Sequence, residues 1–220
     1  MKIYICGDSI SASYTPEQAP QAGWGQYLDQ FLPGVPVVNK AVGGRSTKSF
    51  LSEGRLSEVE ALLEEGDIVL IQFAHNDENI LLWRYSEPWS AYVNQLSIFI
   101  DTARFYGAVP VVLSPICMRV WLGGKLQPTH GEYPAAAQEA ARSKNAAFID
   151  MYQESFDLAS SLGEEGSKCL FLYLPAGHEH YPAGREDFAH TSTEGAQAFA
   201  KIIAQNLIRL GLVTVKEGLL

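Results

Sequence analysis

At 220 residues, with 47% hydrophobic and 19% charged side chains, the chain has the make-up of a globular protein able to bury a core without disulfide staples. Its formal net charge of -9 argues against nucleic acid or an anionic membrane as partner, since both would repel it. No apolar run approaches the roughly 20 residues that cross a bilayer, no signal-peptide pattern precedes Asp8, and Cys6, Cys117 and Cys169 lack metal-site spacing, which together predict a reduced, cytoplasmic protein.

The first predicted element is a buried strand, IYIC at 3–6, running straight into Gly7-Asp8-Ser9. A helix is expected around WGQYLDQFL at 24–32, stopped by Pro33-Gly34, followed by a strand in VPVVN at 35–39 and a glycine pair in AVGGRSTKSF. Leu56, Val59, Leu62 and Leu63 share one face of a helix predicted over Leu56 to Glu65. IVLIQF at 68–73 reads as a strand of the buried, parallel-sheet kind, and AHNDENI as the loop after it. A long helix is expected near Trp89 to Tyr106, then strand VPVVLS at 109–114. Residues 116–133, with Gly123-Gly124 and Pro128, look like a surface excursion. The alanine-rich PAAAQEAARSKN predicts a helix, AAFIDM the last core strand, and another helix should run to about Gly163. Residues 167–190 read as irregular, and a final helix covers Thr193 to Leu210.

This alternation predicts an α/β fold: a three-layer α/β/α sandwich around a parallel sheet of about five strands, flavodoxin-like in style. With no internal repeat, low-complexity tract or linker, a single domain over residues 1–220 is expected. Ligands of such sheets bind beyond the carboxyl ends of the strands. The loops to examine are therefore GDSIS, AVGGRS, AHND and the segment before the last helix.

Ser9 by itself reads equally as a helix N-cap or as a nucleophile. A nucleophilic serine needs a base, and the base an orienting group. Asp187-Phe-Ala-His190 supplies both types, and the capping-box spacing of Thr191 and Glu194 places a helix start just after His190. Acyl transfer also needs donors for the oxyanion. Gly43-Gly44 allows close backbone approach, and Asn76 offers an amide at the sheet edge. A tight turn and an Asx turn are the ordinary readings of these two features.

Taken together, Gly-Asp-Ser, Gly-Gly-Arg, His-Asn-Asp and Asp-x-x-His, in this order from Gly7 to Ala196, make the sequence resemble the SGNH (GDSL-type) hydrolase family. AVGGRSTKSF, QFAHNDEN and DFAHTSTEGA look like its rhamnogalacturonan acetylesterase branch. The resemblance implies Ser9 as nucleophile, His190 as general base and then acid, and Asp187 as orienting carboxylate. It also implies the backbone N–H groups of Ser9 and Gly44 and the Asn76 amide as oxyanion donors. Asp8 is expected to shape the serine turn, and Asp8, His75 and Asp77 to border the substrate. One position departs from the family pattern: Ala74 stands where the motif usually has glycine, and a positive φ there would strain it.

Rival signals are weaker. G-x-S-x-G, H-E-x-x-H and C-x-x-C are absent, and GGRSTKS lacks the phosphate-loop register. His178 and His180, with His130 or His190, could suggest a metal, but no metal and no cofactor is expected. Trp83, Tyr85, Trp89, Trp121, Tyr173 and Tyr181 near the loops suit a sugar, and Arg84, Arg119 or Arg185 an acidic one. The expected activity is hydrolysis of O-acetyl esters on pectin-derived or other oligosaccharides. Two alternatives are an acylhydrolase acting on lipids or thioesters and a catalytically silent carbohydrate-binding protein.

Overall fold

Alternation along the central strands decides the architecture. The computed structural model describes residues 1–80 and 83–214. In β1 (Ile3–Gly7), Ile3 and Ile5 point into one apolar cluster, Tyr4 and Cys6 into another. β3 (Ile68–Gln72) divides the same way, Ile68 and Leu70 against Val69 and Ile71. A strand buried on both faces needs a layer of helices on each side.

With β2 (Val37–Asn39), β4 (Val109–Leu113) and β7 (Ala147–Ile149), these strands form a five-stranded sheet ordered β2-β1-β3-β4-β7. Every neighbouring pair is parallel. This is the doubly wound order that reverses between β1 and β3, where a crevice opens at the carboxyl edge. One face is covered by α5 (Met151–Gly166) and α6 (Thr193–Arg209), through Met151, Ala159, Phe199, Ile203 and Leu207. The other is covered by α1 (Thr47–Ser52), α2 (Arg55–Glu60), α3 (Val93–Phe105) and α4 (Tyr133–Ser143). Between β4 and α4, the short hairpin β5 (Trp121–Leu122) and β6 (Lys125–Leu126) turns on Gly123 and Gly124, both at positive φ.

Three expectations are corrected, and one helix is added. WGQYLDQFL forms two 3-10 turns, Trp24–Gln26 and Leu28–Phe31, instead of an α-helix. Trp24, Leu28 and Leu32 bury on one side at this spacing, and Trp24 Nε1 donates to Gln72 Oε1 at 2.6 Å. The helix expected to Glu65 stops at Glu60, because Asp67 Oδ2 accepts from the Glu64 N–H at 3.0 Å and turns the chain into β3. A preceding helix, α1, is set up by a reciprocal cap: Ser46 Oγ accepts from the Ser49 N–H, and Ser49 Oγ from the Ser46 N–H. Finally, residues 167–190 are not irregular throughout. They hold a 3-10 turn (Ser167–Leu170) and most of an antiparallel hairpin, β8 (Phe171–Leu174) with β9 (Arg185–Thr191).

Gly195, in the first turn of α6, is where that helix meets the 3-10 turn. A Cβ there would lie 1.9 Å from the Leu170 carbonyl oxygen. Gly195→Ala should therefore destabilise the protein even though alanine favours a helix by about 1 kcal/mol. An overpacking cost of about 1–3 kcal/mol beyond that gain predicts a Tm lower by roughly 2–12 °C. A Tm at or above wild type, read by differential scanning calorimetry, would show that the contact relaxes freely.

Candidate active site

Ser9 sits on a tight turn at the exit of β1. Gly7 is required there, because a Cβ would lie 2.1 Å from Ser11 Oγ and 2.8 Å from the Gln72 carbonyl oxygen. The turn is closed by Asp8: its Oδ1 accepts from the Ile10 N–H at 2.9 Å and its carbonyl from the Ala12 N–H at 3.1 Å. No helix follows, so Ser9 is not an N-cap; the next element is a 3-10 turn at Pro16–Gln18. Tyr14, which sequence reasoning passed over, donates its hydroxyl to the Ser9 carbonyl at 2.8 Å. Its burial pushes the phenol up to about 12, so it stays a donor at neutral pH.

His190 reaches the serine from β9. In an even strand, residues three apart face opposite sides, yet Asp187 and His190 meet. The hairpin register explains this: Phe171 pairs with Thr191 and Leu172 with Asp187, so residues 188–190 bulge outward. Asp187 Oδ1 caps the bulge, accepting from the N–H of Ala189 at 3.0 Å and of His190 at 2.9 Å. Its Oδ2 lies 2.9 Å from His190 Nδ1, and His190 Nε2 lies 3.1 Å from Ser9 Oγ. Burial would raise the Asp187 pKa, but hydrogen bonds from the His190 ring, Arg185 and the His190 N–H hold it well below the usual carboxylate range. Arg185 contributes through a 2.8 Å contact with Oδ2. The helix cap after the histidine is Ser192, not Thr191: Ser192 Oγ accepts from the Gly195 N–H at 3.1 Å. The Thr191 hydroxyl instead donates to the Ala22 carbonyl.

Ser9, Gly44, Asn76 and His190 line one cleft of about 320 Å³, together with Ile10, His75, Glu78, Arg84, Met118 and Ala189. Gly44 has φ of 78°, a conformation open to glycine at little cost. Among the described residues, no protein group accepts from the N–H of Ser9 or Gly44. Asn76 Nδ2 donates to the Arg45 carbonyl at 3.0 Å, which fixes the amide plane and leaves its second hydrogen for the cleft. Such a constellation can deprotonate a hydroxyl and hold a developing oxyanion.

The remaining expected residues divide. His75 borders the cleft, whereas Asp8 and Asp77 are buried beneath it, 1% and 0% exposed, and are out of reach of a substrate. Asp8 Oδ2 faces His75 Nδ1 at 3.6 Å, a charge contact longer than a hydrogen bond. Burial pulls the His75 pKa down, but Asp8 and the nearby acids outweigh it and leave it raised. His130 packs edge-on against His75, donates Nε2–H to the Ile116 carbonyl at 2.9 Å and sets Nδ1 3.0 Å from Glu78. With His130 and His190 so engaged, His178 and His180 are left 6.2 Å apart between ring centres. Ala74 has φ of 152°, the strained alanine that the departure from glycine implied, at a cost of about 1–3 kcal/mol.

Residues 5–198 match the GDSL-like lipase/acylhydrolase family, and the chain belongs to it. Among curated relatives, it is 40% identical to rhamnogalacturonan acetylesterase RhgT of Bacillus subtilis, over 96% of this chain and 91% of that one. It is 32% identical to the probable rhamnogalacturonan acetylesterase YesY of the same organism, over 96% and 94%. Among solved structures, protein YXIM of Bacillus subtilis superposes with a TM-score of 0.82 at 25% identity, over 96% of this chain and 56% of that one. The acetylxylan esterase Axe2 of Geobacillus stearothermophilus shares the fold, with a TM-score of 0.66 at 18% identity over 98% and 97% of the two chains.

Asp77 yields a pH prediction. Burial raises its pKa from 3.8 to about 7, against the bonds it accepts from Thr47. The geometry agrees: the Thr47 hydroxyl contacts both Asp77 Oδ1 and Gln95 Oε1 and has one proton to give. A protonated Asp77 donates to Thr47, which then donates to Gln95, and every oxygen is served. Because the folded pKa lies above the unfolded one, the stability this group contributes is complete below about pH 4 and lost as pH rises toward 7. The Tm of wild type should therefore fall more steeply over that window than the Tm of Asp77→Asn. Equal slopes in thermal melts would mean that Asp77 is ionised in the fold.

Proposed function

We propose that the protein is a serine esterase that removes O-acetyl groups from carbohydrate, with rhamnogalacturonan-derived oligosaccharides as its substrates. The observation that carries this is the chain of contacts Asp187–His190–Ser9, at 2.9 and 3.1 Å, opening on a cleft that also presents Gly44 and Asn76. The substrate class is supported by the relatives at 40% and 32% identity. At about 320 Å³, the cleft is at the small end for ligand sites, which suits an acetyl group.

In this reading, His190 Nε2 takes the Ser9 proton as Oγ attacks the acetyl carbonyl. Asp187 fixes the ring with Nδ1–H toward its carboxylate and stabilises the imidazolium that forms. The Ser9 N–H, Gly44 N–H and Asn76 amide receive the oxyanion. His190 then protonates the departing sugar oxygen, and water, activated by the same imidazole, releases acetate from Ser9. Side chains and backbone of one domain supply every group, so no cofactor or metal enters the scheme. A cytoplasmic setting, with imported oligosaccharides as substrate, suits the three unpaired thiols of Cys6, Cys117 and Cys169.

Acetate release from a panel of acetylated oligosaccharides tests the reading. Ser9→Ala should lose a factor on the order of 10⁴–10⁶ in kcat and all labelling by a fluorophosphonate probe. Robust release by that variant would overturn the mechanism. Asn76→Ala should lose about 10²–10³ in kcat with little change in KM; an unchanged kcat would remove Asn76 from the oxyanion site. If wild type cleaves long-chain esters and none of the sugars, the substrate class fails while the mechanism stands.

A further inference from the structure

We infer that Arg84 recognises the carboxylate of an acidic sugar in the cleft, which makes the enzyme selective for acetyl esters carried on uronate-bearing oligosaccharides. This rests on the proposed esterase reading and adds to it the group that discriminates between acidic and neutral sugars.

Three arginines have the chemistry for an acidic sugar, and the fold disposes of two. Arg119 is buried: its Nε donates to Ser167 Oγ at 3.1 Å, its guanidinium donates to the Glu164 carbonyl, and it stacks 4.6 Å above the Tyr173 ring. Arg185 is committed to Asp187 at 2.8 Å. Arg84 lines the same cleft as Ser9 and His190.

The state of Arg84 is unusual for this protein. Acidic residues outnumber Lys and Arg by 25 to 16, yet among the described residues no carboxylate lies within ion-pair distance of Arg84. The cleft's own carboxylate, Glu78, is engaged 3.0 Å away by His130. One corner of the guanidinium is pinned, NH1 donating to the Gly44 carbonyl at 2.7 Å, and Nε is buried with no hydrogen-bond partner in the protein. A guanidinium has five donors in a planar fork that matches a carboxylate. Held by one corner and otherwise unspent, Arg84 is preorganised to receive one. A galacturonan carries a carboxylate on each uronic acid unit.

Arg84 also braces the Gly44 loop, so a fall in activity on mutation would not by itself identify its role. The test therefore compares substrates within each variant. Acetate release would be measured on acetylated rhamnogalacturonan oligosaccharides and on the same oligosaccharides with their carboxylates methyl-esterified. Wild type should prefer the free acid by about 10- to 100-fold in kcat/KM, the range of a charge-assisted hydrogen-bonded contact. The ratio should fall to near 1 in Arg84→Gln and stay intermediate in Arg84→Lys, which keeps the charge without the fork. Damage to the Gly44 loop scales both substrates and cancels in the ratio. The same ratio in wild type and Arg84→Gln, or no preference in wild type, would overturn the inference and leave the esterase reading intact. If wild type releases acetate from neither form but does so from acetylated xylooligosaccharides, the proposed substrate has failed, and the inference falls with it.

Discussion

The hydrogen bond between His190 Nε2 and Ser9 Oγ joins residues 181 apart in the chain. A serine hydroxyl is a poor nucleophile without a base at this distance, so the site depends on holding β9 against the exit of β1. Several contacts share that task. The Ala22 N–H donates to the Thr191 carbonyl at 3.1 Å, and Gln21 bridges Ser192. Ser192 caps α6, whose Gly195 lies flush against Leu170. The histidine thus leaves from a short bulge tied on both sides, by Asp187 before it and by Thr191 and Ser192 after it.

A second clamp acts between the loops that follow β2 and β3. Asn76 donates to the Arg45 carbonyl at 3.0 Å, while Asp77 accepts from the Thr47 N–H at 3.0 Å. Two successive residues of one loop therefore grip the other within three residues of Gly44. The prospective oxyanion donors are held in mutual register by these bonds, which take one hydrogen of the Asn76 amide and leave its second for the cleft. The floor beneath is polar at some cost: Asp8, His75, His130 and Glu78 form a buried run of charge and ring contacts. Burial of such groups is tolerated where each finds a partner; His130 finds two, while Asp8 Oδ2 and His75 Nε2 are buried without a hydrogen bond and rely on the 3.6 Å charge contact between their side chains.

Much of this was legible in the sequence because parallel sheets write long apolar runs, and all five core strands fall on such runs. The four motif loops were legible because a doubly wound sheet gathers its carboxyl-end loops at one edge, whatever separates them in the chain. What misled was local. WGQYLDQFL has helical apolar spacing, but docking Trp24 onto Gln72 favours tighter turns. Asp8 and Asp77 flank site residues in the chain and so invited a substrate role. Both sit at turns, where Asp8 accepts from the Ile10 N–H and Asp77 from the Thr47 N–H, and these bonds draw the two carboxylates into the floor.

The sequence by itself determined the layered fold, the order of the loops and the residue types suited to the proposed nucleophile, base, orienting carboxylate and oxyanion donors. These follow from periodicity and from functional groups, both of which are properties of the chain. Tertiary structure alone decided the bulge that lets Asp187 and His190 face one another, since register exists only once β8 has paired with β9. It also decided the strain at Ala74, the burial of Asp77 and the choice among three arginines. Burial, strain and ion pairing depend on distances between residues remote in sequence, and those distances are defined only when the chain has closed on itself.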